Sequence, residues 1–349
     1  MSPFNIATIL FLLTPFMVFG QQMKSKDVKK HYTVSANGSL SIDSKYGNVH
    51  VETWAKNEVD ITVIIEVTKR TATKAQQYLD KISIDIDDAS VNNLAFKTMI
   101  SGNLDNNGND KIKIEYRVKV PATLNLKLKN NYGNLFLQDA SGEINISVAY
   151  GNLKIGELTG PIELKLSYGN GDIEKVNNGN LVIRYSNLDI EDAGNVEVTN
   201  SYSNIEFGNS NYVDLTNKYG NLTWKSLNNL KGSSKYGTVK VAKLYESLTF
   251  NVSYGGGIKV AWVSKDFRNI DIKSSYAAVS LKFEQGMSAV LDAEMKYCNL
   301  KNYDIEFDYS YIDERGSMKY YKGKMGKGSY NSKIKIIANY GSVKLSYTD

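Results

Sequence analysis

The stretch Tyr150-Gly151-Asn152-Leu153-Lys154-Ile155-Gly156-Glu157-Leu158-Thr159-Gly160-Pro161-Ile162-Glu163-Leu164-Lys165-Leu166-Ser167-Tyr168-Gly169-Asn170 decides the fold. It begins and ends on the same Tyr-Gly-Asn triplet. Between the triplets, Leu153 and Ile155 alternate with polar residues, a Gly-Pro break follows, and Ile162, Leu164 and Leu166 alternate again. Period-two alternation marks β-strands with one buried face. A single unit of this kind leaves its apolar face in water, and stacked copies bury it in a continuous core.

The copies are present. Tyr46-Gly47-Asn48-Val49 comes first, and Tyr132, Tyr150, Tyr168, Tyr185, Tyr202, Tyr219, Tyr236 and Tyr254 follow at spacings of 18, 18, 17, 17, 17, 17 and 18 residues. Asn134, Asn152, Asn170, Asn187, Asn204 and Asn221 stand two residues after their tyrosines, and degenerate copies begin at Tyr276, Tyr297 and Tyr340. The pattern predicts an all-β fold, a single-stranded parallel β-helix with about 17–18 residues per coil. Each coil is expected to hold two short strands and two turns. At about 4.8 Å per coil, roughly twelve coils make a rod on the order of 60 Å long. A left-handed hexapeptide helix is rejected, because its register would place Ser141 and Ser147 where aliphatics belong.

Each repeated residue has an expected task. Gly or Ser after the tyrosine should take a positive φ in a tight turn. The Asn that follows tolerates the left-handed region, and its amide can bond the next Asn along the stack. The tyrosine shares the parity of the inward aliphatics, so a tyrosine ladder is expected at a corner, with its hydroxyls reaching solvent or turn backbone.

The ends read differently. Residues 1–20 read as a signal peptide cleaved after Gly20, with an uncleaved N-terminal anchor as the alternative because no Lys or Arg precedes the apolar run, and 21–36 as a polar N-terminal segment. Residues 37–130 hold the first coil and a capping insertion. Its expected parts are a strand at Val59 to Thr68, a helix at Thr73 to Lys81, strands near Ser83 to Asp87 and Lys111 to Val120, and an Asn-rich loop, Gly102 to Asp110. Residues 131–302 form the solenoid coils, and 303–349 an irregular C-terminal hairpin and last coil. Caps are needed because an open solenoid end exposes unpaired strand edges.

The Tyr-Gly-Asn repeat, the opening Ser44-Lys45-Tyr46-Gly47-Asn48-Val49-His50-Val51-Glu52-Thr53-Trp54 and the closing Gly323 to Gly328 stretch before Tyr340-Gly341 resemble the bacterial "putative adhesin" β-solenoid family, also called toastrack-like. The resemblance spans roughly residues 31 to 349. It implies a single-stranded β-helix in a bacterial envelope context. It carries over no catalytic residue, because the shared motif is structural.

Composition narrows the chemistry. One Cys excludes an internal disulfide framework, and one Cys with two His excludes a Cys/His zinc site. A net charge of +5 over 349 residues argues against a nucleic-acid binder. No stretch beyond the leader is long and apolar enough to span a bilayer. The charge is nonetheless segregated. Residues 137–214 carry 12 acidic and 4 basic residues, net −8, whereas 215–282 carry 11 basic and 3 acidic, net +8. Charge-driven self-association is one expectation from this polarity.

His31, in the polar segment before the first strand, and His50, on the outer face of the first coil, read as solvated residues. Cys298 stands where other coils have Gly, Ser or Ala, as a small turn residue. Trp54, Trp224 and Trp262 read as core. Glu174, Asp189 and Glu206 are expected on one outward face of successive coils, near Asp172, Glu191 and Asp192, and are the only metal candidates. Arg184 and Lys175 would be the bases of a Ca²⁺-dependent polysaccharide lyase or hydrolase built on that face. The favoured reading is an exported, non-enzymatic interaction module without a cofactor, whose partner is a protein or a surface glycan. The alternatives are that Ca²⁺-dependent enzyme and an envelope-stress scaffold.

Overall fold

The computed structural model describes residues 21–35, 37–102 and 111–348, so the expected leader and residues 103–110 of the Asn-rich loop lie outside the described residues. The described residues begin with β1 (Gln22–Thr33), β2 (Ser39–Lys45), β3 (Val49–Trp54), β4 (Glu58–Lys69) and α1 (Ala72–Asp80). It continues through β5 (Ile82–Asp87), β6 (Asn93–Ile100), β7 (Lys111–Pro121), β8 (Asn125–Asn131), β9 (Leu135–Leu137) and β10 (Ile144–Ala149). Six long strands follow: β11 (Leu153–Ser167), β12 (Asn170–Arg184), β13 (Asn187–Ser201), β14 (Asn204–Lys218), β15 (Asn221–Lys235) and β16 (Thr238–Ser253). Each is a whole coil, paired in parallel with the next.

Strand therefore runs through the middle of a coil, where the sequence pattern places a turn. Between β12 and β13 the register passes from Ile173↔Ile190 to Lys175↔Asp192 and from Val176↔Ala193 to Asn178↔Asn195. The polar break bends the coil at these skipped positions without ending its ladder, because the bend can be repeated from coil to coil. Inward side chains from both halves of each coil, such as Leu188, Ile190, Val196 and Val198, meet in one core that continues from Val34 to Leu345.

The C-terminal end comprises β17 (Gly257–Val263), β18 (Asn269–Ser275), β19 (Ala278–Phe283), β20 (Ser288–Lys296), β21 (Leu300–Tyr303), β22 (Phe307–Asp313), β23 (Met318–Gly326), β24 (Ser332–Asn339) and β25 (Ser342–Tyr347). Its stacking order departs from chain order. β24 pairs in parallel with β18 on one side and β20 on the other, and β25 lies between β19 and β21. The last coil of the sequence is thus a middle rung. β23 then pairs antiparallel with β20, and β22 with β23, as a hairpin at the end.

At the other end, β7 adds to β3, β4 runs antiparallel to β7, and β1 antiparallel to β4. Beside β2, the cap adds β6 and then antiparallel β5. Two of these strands depart from the sequence reading. Residues 22–33, read only as a polar segment before the first strand, form a strand themselves, and β6 was not anticipated. β1 escapes a periodicity search because only Val28 and Tyr32 of its residues pack against the core. Its lysine-rich sequence suits an edge strand, where charge discourages pairing with other chains. α1, capped by the Thr71 hydroxyl accepting from the Lys74 N–H, packs on β1 and β4 and buries Ala75 and Leu79.

The turns correct the expected conformations. Positive φ falls on the tyrosines themselves, at 50° to 65° in all twelve ladder positions, and on neither the Asn nor the Gly directly after a ladder tyrosine. Glycine follows because the turns nest. A Cβ at Gly151 would lie 1.9 Å from the Gly133 carbonyl oxygen, and one at Gly169 would lie 1.9 Å from that of Gly151. The left-handed tyrosine costs about 1–2 kcal/mol. Ring stacking offsets a comparable amount, about 0.5–1.5 kcal/mol per pair. The Tyr150 N–H also donates to the Ser167 carbonyl, and the next turns repeat that bond.

Candidate functional site

The twelve ladder rings stack in the order Tyr46, Tyr132, Tyr150, Tyr168, Tyr185, Tyr202, Tyr219, Tyr236, Tyr254, Tyr276, Tyr340, Tyr297, with centroids 4.6 to 5.5 Å apart. They are 39% to 54% exposed, a strip on the outside of the corner and not packing within it. The faces of the ten inner rings are occupied by one another, so along the strip solvent meets ring edges and hydroxyls. The inner strip offers hydrogen bonds and no free face on which a sugar could stack. Lys218, Lys235 and Lys296 reach over neighbouring rings at 5.3 to 6.0 Å.

Beside the strip runs an asparagine file. The Asn187 amide donates to Asn170 Oδ1 at 3.1 Å, Asn204 to Asn187 at 3.2 Å, and Asn221 to Asn204 at 3.3 Å. Earlier in the file, the backbone N–H of Asn152 donates to Asn134 Oδ1. A second file was missed in the sequence. Asn130, Asn200 and Asn217 are buried two residues before their tyrosines, and Asn217 Nδ2 donates to the Gly220 carbonyl and to Ser234 Oγ, both at 2.8 Å. The signal was available: these amides stand where Val148, Leu166 and Ile183 point inward in other coils.

Two tryptophans depart from the core reading. Trp224 is buried and stacks on Phe207, but Trp54 and Trp262 are half-buried. Leu244 pairs with Val263, not Trp262, because the Gly255-Gly256-Gly257 turn adds one residue and shifts the register. Trp54 stands at the end of β3, where the chain leaves the coil. Its indole donates to the Glu58 carbonyl at 2.8 Å, and Lys56 lies over the ring.

Trp54 helps line a cleft of about 800 Å³ on the outer face of β1, β4, β7 and β3. Strand register builds its floor. One row across the four strands reads His31, Asp60, Lys119, Glu52, the last three alternating in sign. The next reads Lys29, Thr62, Arg117, His50 and then Phe136 of β9. The sequence placed the two histidines apart, and the fold brings both to this cleft. The His31 imidazole is hydrogen-bonded to the Asp60 carboxylate, and His50 stacks on Phe136 with centroids 4.5 Å apart. Lys119 pairs with Glu52 at 3.5 Å. Among the described residues, Thr62 is the one hydroxyl of the lining and makes no hydrogen bond to either histidine.

Glu115 is the buried anchor of this cleft. Lys113, at 2.6 Å, and Arg117, at 2.8 Å, hold its carboxyl below the usual carboxylate range against the opposing effect of burial. A depressed folded-state pKa gives stability that is present above the unfolded value and lost as pH falls through the folded one. Glu115→Gln is therefore expected to cost about 1 kcal/mol at pH 7, since both cations are half in solvent. Melting temperatures of variant and parent should converge as pH drops below about 4.

The acidic candidates are redistributed. Asp172, Asp189 and Glu206 form one outward column in register. Glu174 stands outside it, at the mid-coil bend where the register skips. Lys175 pairs with Glu157 at 3.5 Å. Among the described residues, no group of three or more His, Cys, Asp or Glu side chains is placed to hold a metal ion. Burial, then Glu206 and Asp172, push the Asp189 carboxyl up. A raised folded-state pKa means stability that is present below the unfolded value and lost as pH rises through the folded one. Asp189→Asn should therefore stabilise at pH 7, by at most about 0.5 kcal/mol given the solvent-facing carboxylate. The gain should vanish at about pH 3 in the same melting series.

Cys298 fills its turn beside the Ala338 carbonyl, buried. No helix among the described residues is long and apolar enough to cross a membrane.

No family model matches the sequence, and no curated protein matches it. Solved structures do. One is described as a "putative cell adhesion protein" from Clostridium sporogenes, 11% identical, covering 93% of this chain and 100% of its own, with a TM-score of 0.26. A "putative adhesin" from Bacteroides fragilis is 13% identical over 92% of this chain and 97% of its own, with a TM-score of 0.26. Another from Parabacteroides distasonis is 13% identical over 92% and 97%, with a TM-score of 0.30. At these values the likenesses carry no argument about what this chain does.

Proposed function

We propose that the protein is an exported, non-enzymatic β-solenoid that acts as an adhesin-like or structural interaction module of the bacterial cell envelope. The observation that carries this reading is how the recurring residues are used. Tyrosine, glycine and asparagine form continuous ladders along the rod, while the two histidines and Arg117 meet in an ion-paired cleft at one end. Paired charges beside a half-buried tryptophan suit recognition of a polar partner, a protein or a surface glycan. The rod sets that cleft at a fixed place, as an interaction module requires.

The test is protease accessibility on intact cells. Digestion of the full chain without lysis supports a surface-facing module. Protection in intact cells together with digestion after the outer membrane is opened supports a structural module inside it. Recovery only with the cytoplasmic fraction would refute export.

A further inference from the structure

One outward file of the solenoid carries its own electrostatic complement. It reads Lys154, Asp172, Asp189, Glu206, Thr223, Lys240, Lys259, one residue per coil, each in register with the next. Ser280 and then Lys344 continue it. The three acids and the two lysines after Thr223 are exposed. Neighbouring files satisfy charge internally, as in Lys175–Glu157 and Lys231–Asp214. Among the described residues, none of these five enters such a pair. Like charges at coil spacing, about 4.8 Å, repel one another along the file.

We propose that this face binds a second copy of the chain, antiparallel, about a two-fold axis at the level of Thr223. Such an axis, lying between the two faces and parallel to the strands, reverses the rod and lays the file on itself. It sets Glu206 against the second copy's Lys240, Asp189 against its Lys259, and Asp172 against its Ser280. Each pairing occurs twice, as an isologous contact requires. A parallel arrangement would instead oppose acid to acid and lysine to lysine. The next rung outward sets Lys154 against Lys344, which limits the favourable contact to the coils from Asp172 to Ser280. That stretch is roughly 30 Å long. A contact of this size and charge belongs with weak, salt-sensitive interfaces. The inference goes beyond the reading above, because it stands wherever the rod acts.

Sedimentation of the whole mature chain tests it. The parent should dimerise at about 20 mM salt and separate at about 0.5 M, where the screening length falls to a few ångströms. Glu206→Lys and Lys240→Glu should each weaken the dimer by at least about tenfold, because each opposes like charges twice. The double exchange, Glu206→Lys with Lys240→Glu, should restore it. Unchanged melting temperatures would show that the single variants still fold. A parent that stays monomeric at low salt, a dimer indifferent to salt, or single reversals without effect would each overturn the proposal. So would a double exchange no better than the single ones.

Discussion

Gly133→Val is expected to be among the most damaging single changes in the chain. The Cβ alone would lie 1.7 Å from the Gly47 carbonyl oxygen and 2.5 Å from its carbon, and both atoms are backbone. The turn has no slack, because Gly47, Gly133 and Gly151 nest in succession. We expect a loss of about 3 kcal/mol or more. In melting of a chain this long, that is roughly 4 °C or more. Gly286→Ala is the control, with a positive φ of 82° and nothing within 4 Å of the added carbon. It should cost only about 1 kcal/mol, from backbone strain alone. Ser186 and Ser203 show how a bulkier turn is accommodated. The two are adjacent rungs, and the Ser186 N–H donates to the Ser203 hydroxyl at 3.1 Å. A valine between two glycine turns has no such bond to form. Equal melting of the Gly133 and Gly286 variants would refute the nesting argument.

Ending the chain at Ser329 should do more. It removes β24 and β25, with Ile334, Ile336, Ala338, Val343 and Leu345 at 0% to 1% exposure. At about 1.5–3 kcal/mol per large buried side chain, the apolar loss is on the order of 10 kcal/mol. That is comparable with the net stability of a typical domain. The damage should also be local, since each coil of a solenoid touches only its neighbours. Hydrogen exchange should show lost protection in β20 to β23 and retained protection in β11 to β15. Protection of β20 unchanged by the truncation would mean that β20 had closed onto β18, contrary to this expectation.

The coil period and the strand character were legible because one face of every rung is buried, which enforces period-two alternation at fixed spacing. The helix of the cap was legible within one residue at either end. Other features were hidden for physical reasons. β1 buries little, so it carries no apolar pattern. The conformation of the turn was assigned to glycine by propensity, but the need there is for space between nested backbones, and ring stacking holds tyrosine in the left-handed region. Trp262 was misplaced by a single added glycine, which moves the residues of β17 by one position and so to the opposite face from the one expected. The cleft could not be read at all, since His31 and His50 come together only through β4 and β7.

The place of β24 has a consequence for how the molecule comes to be. A chain made or exported from its N-terminal end presents β20 to β23 before β24. The only rung then open to β20 is β18, the partner that β24 will later take. Either β20 waits with only its antiparallel partner β23, or it docks early on β18 and is displaced. The final event of assembly is therefore an insertion into a gap one strand wide, and its rate, not that of coil-by-coil zipping, should set when the far end closes.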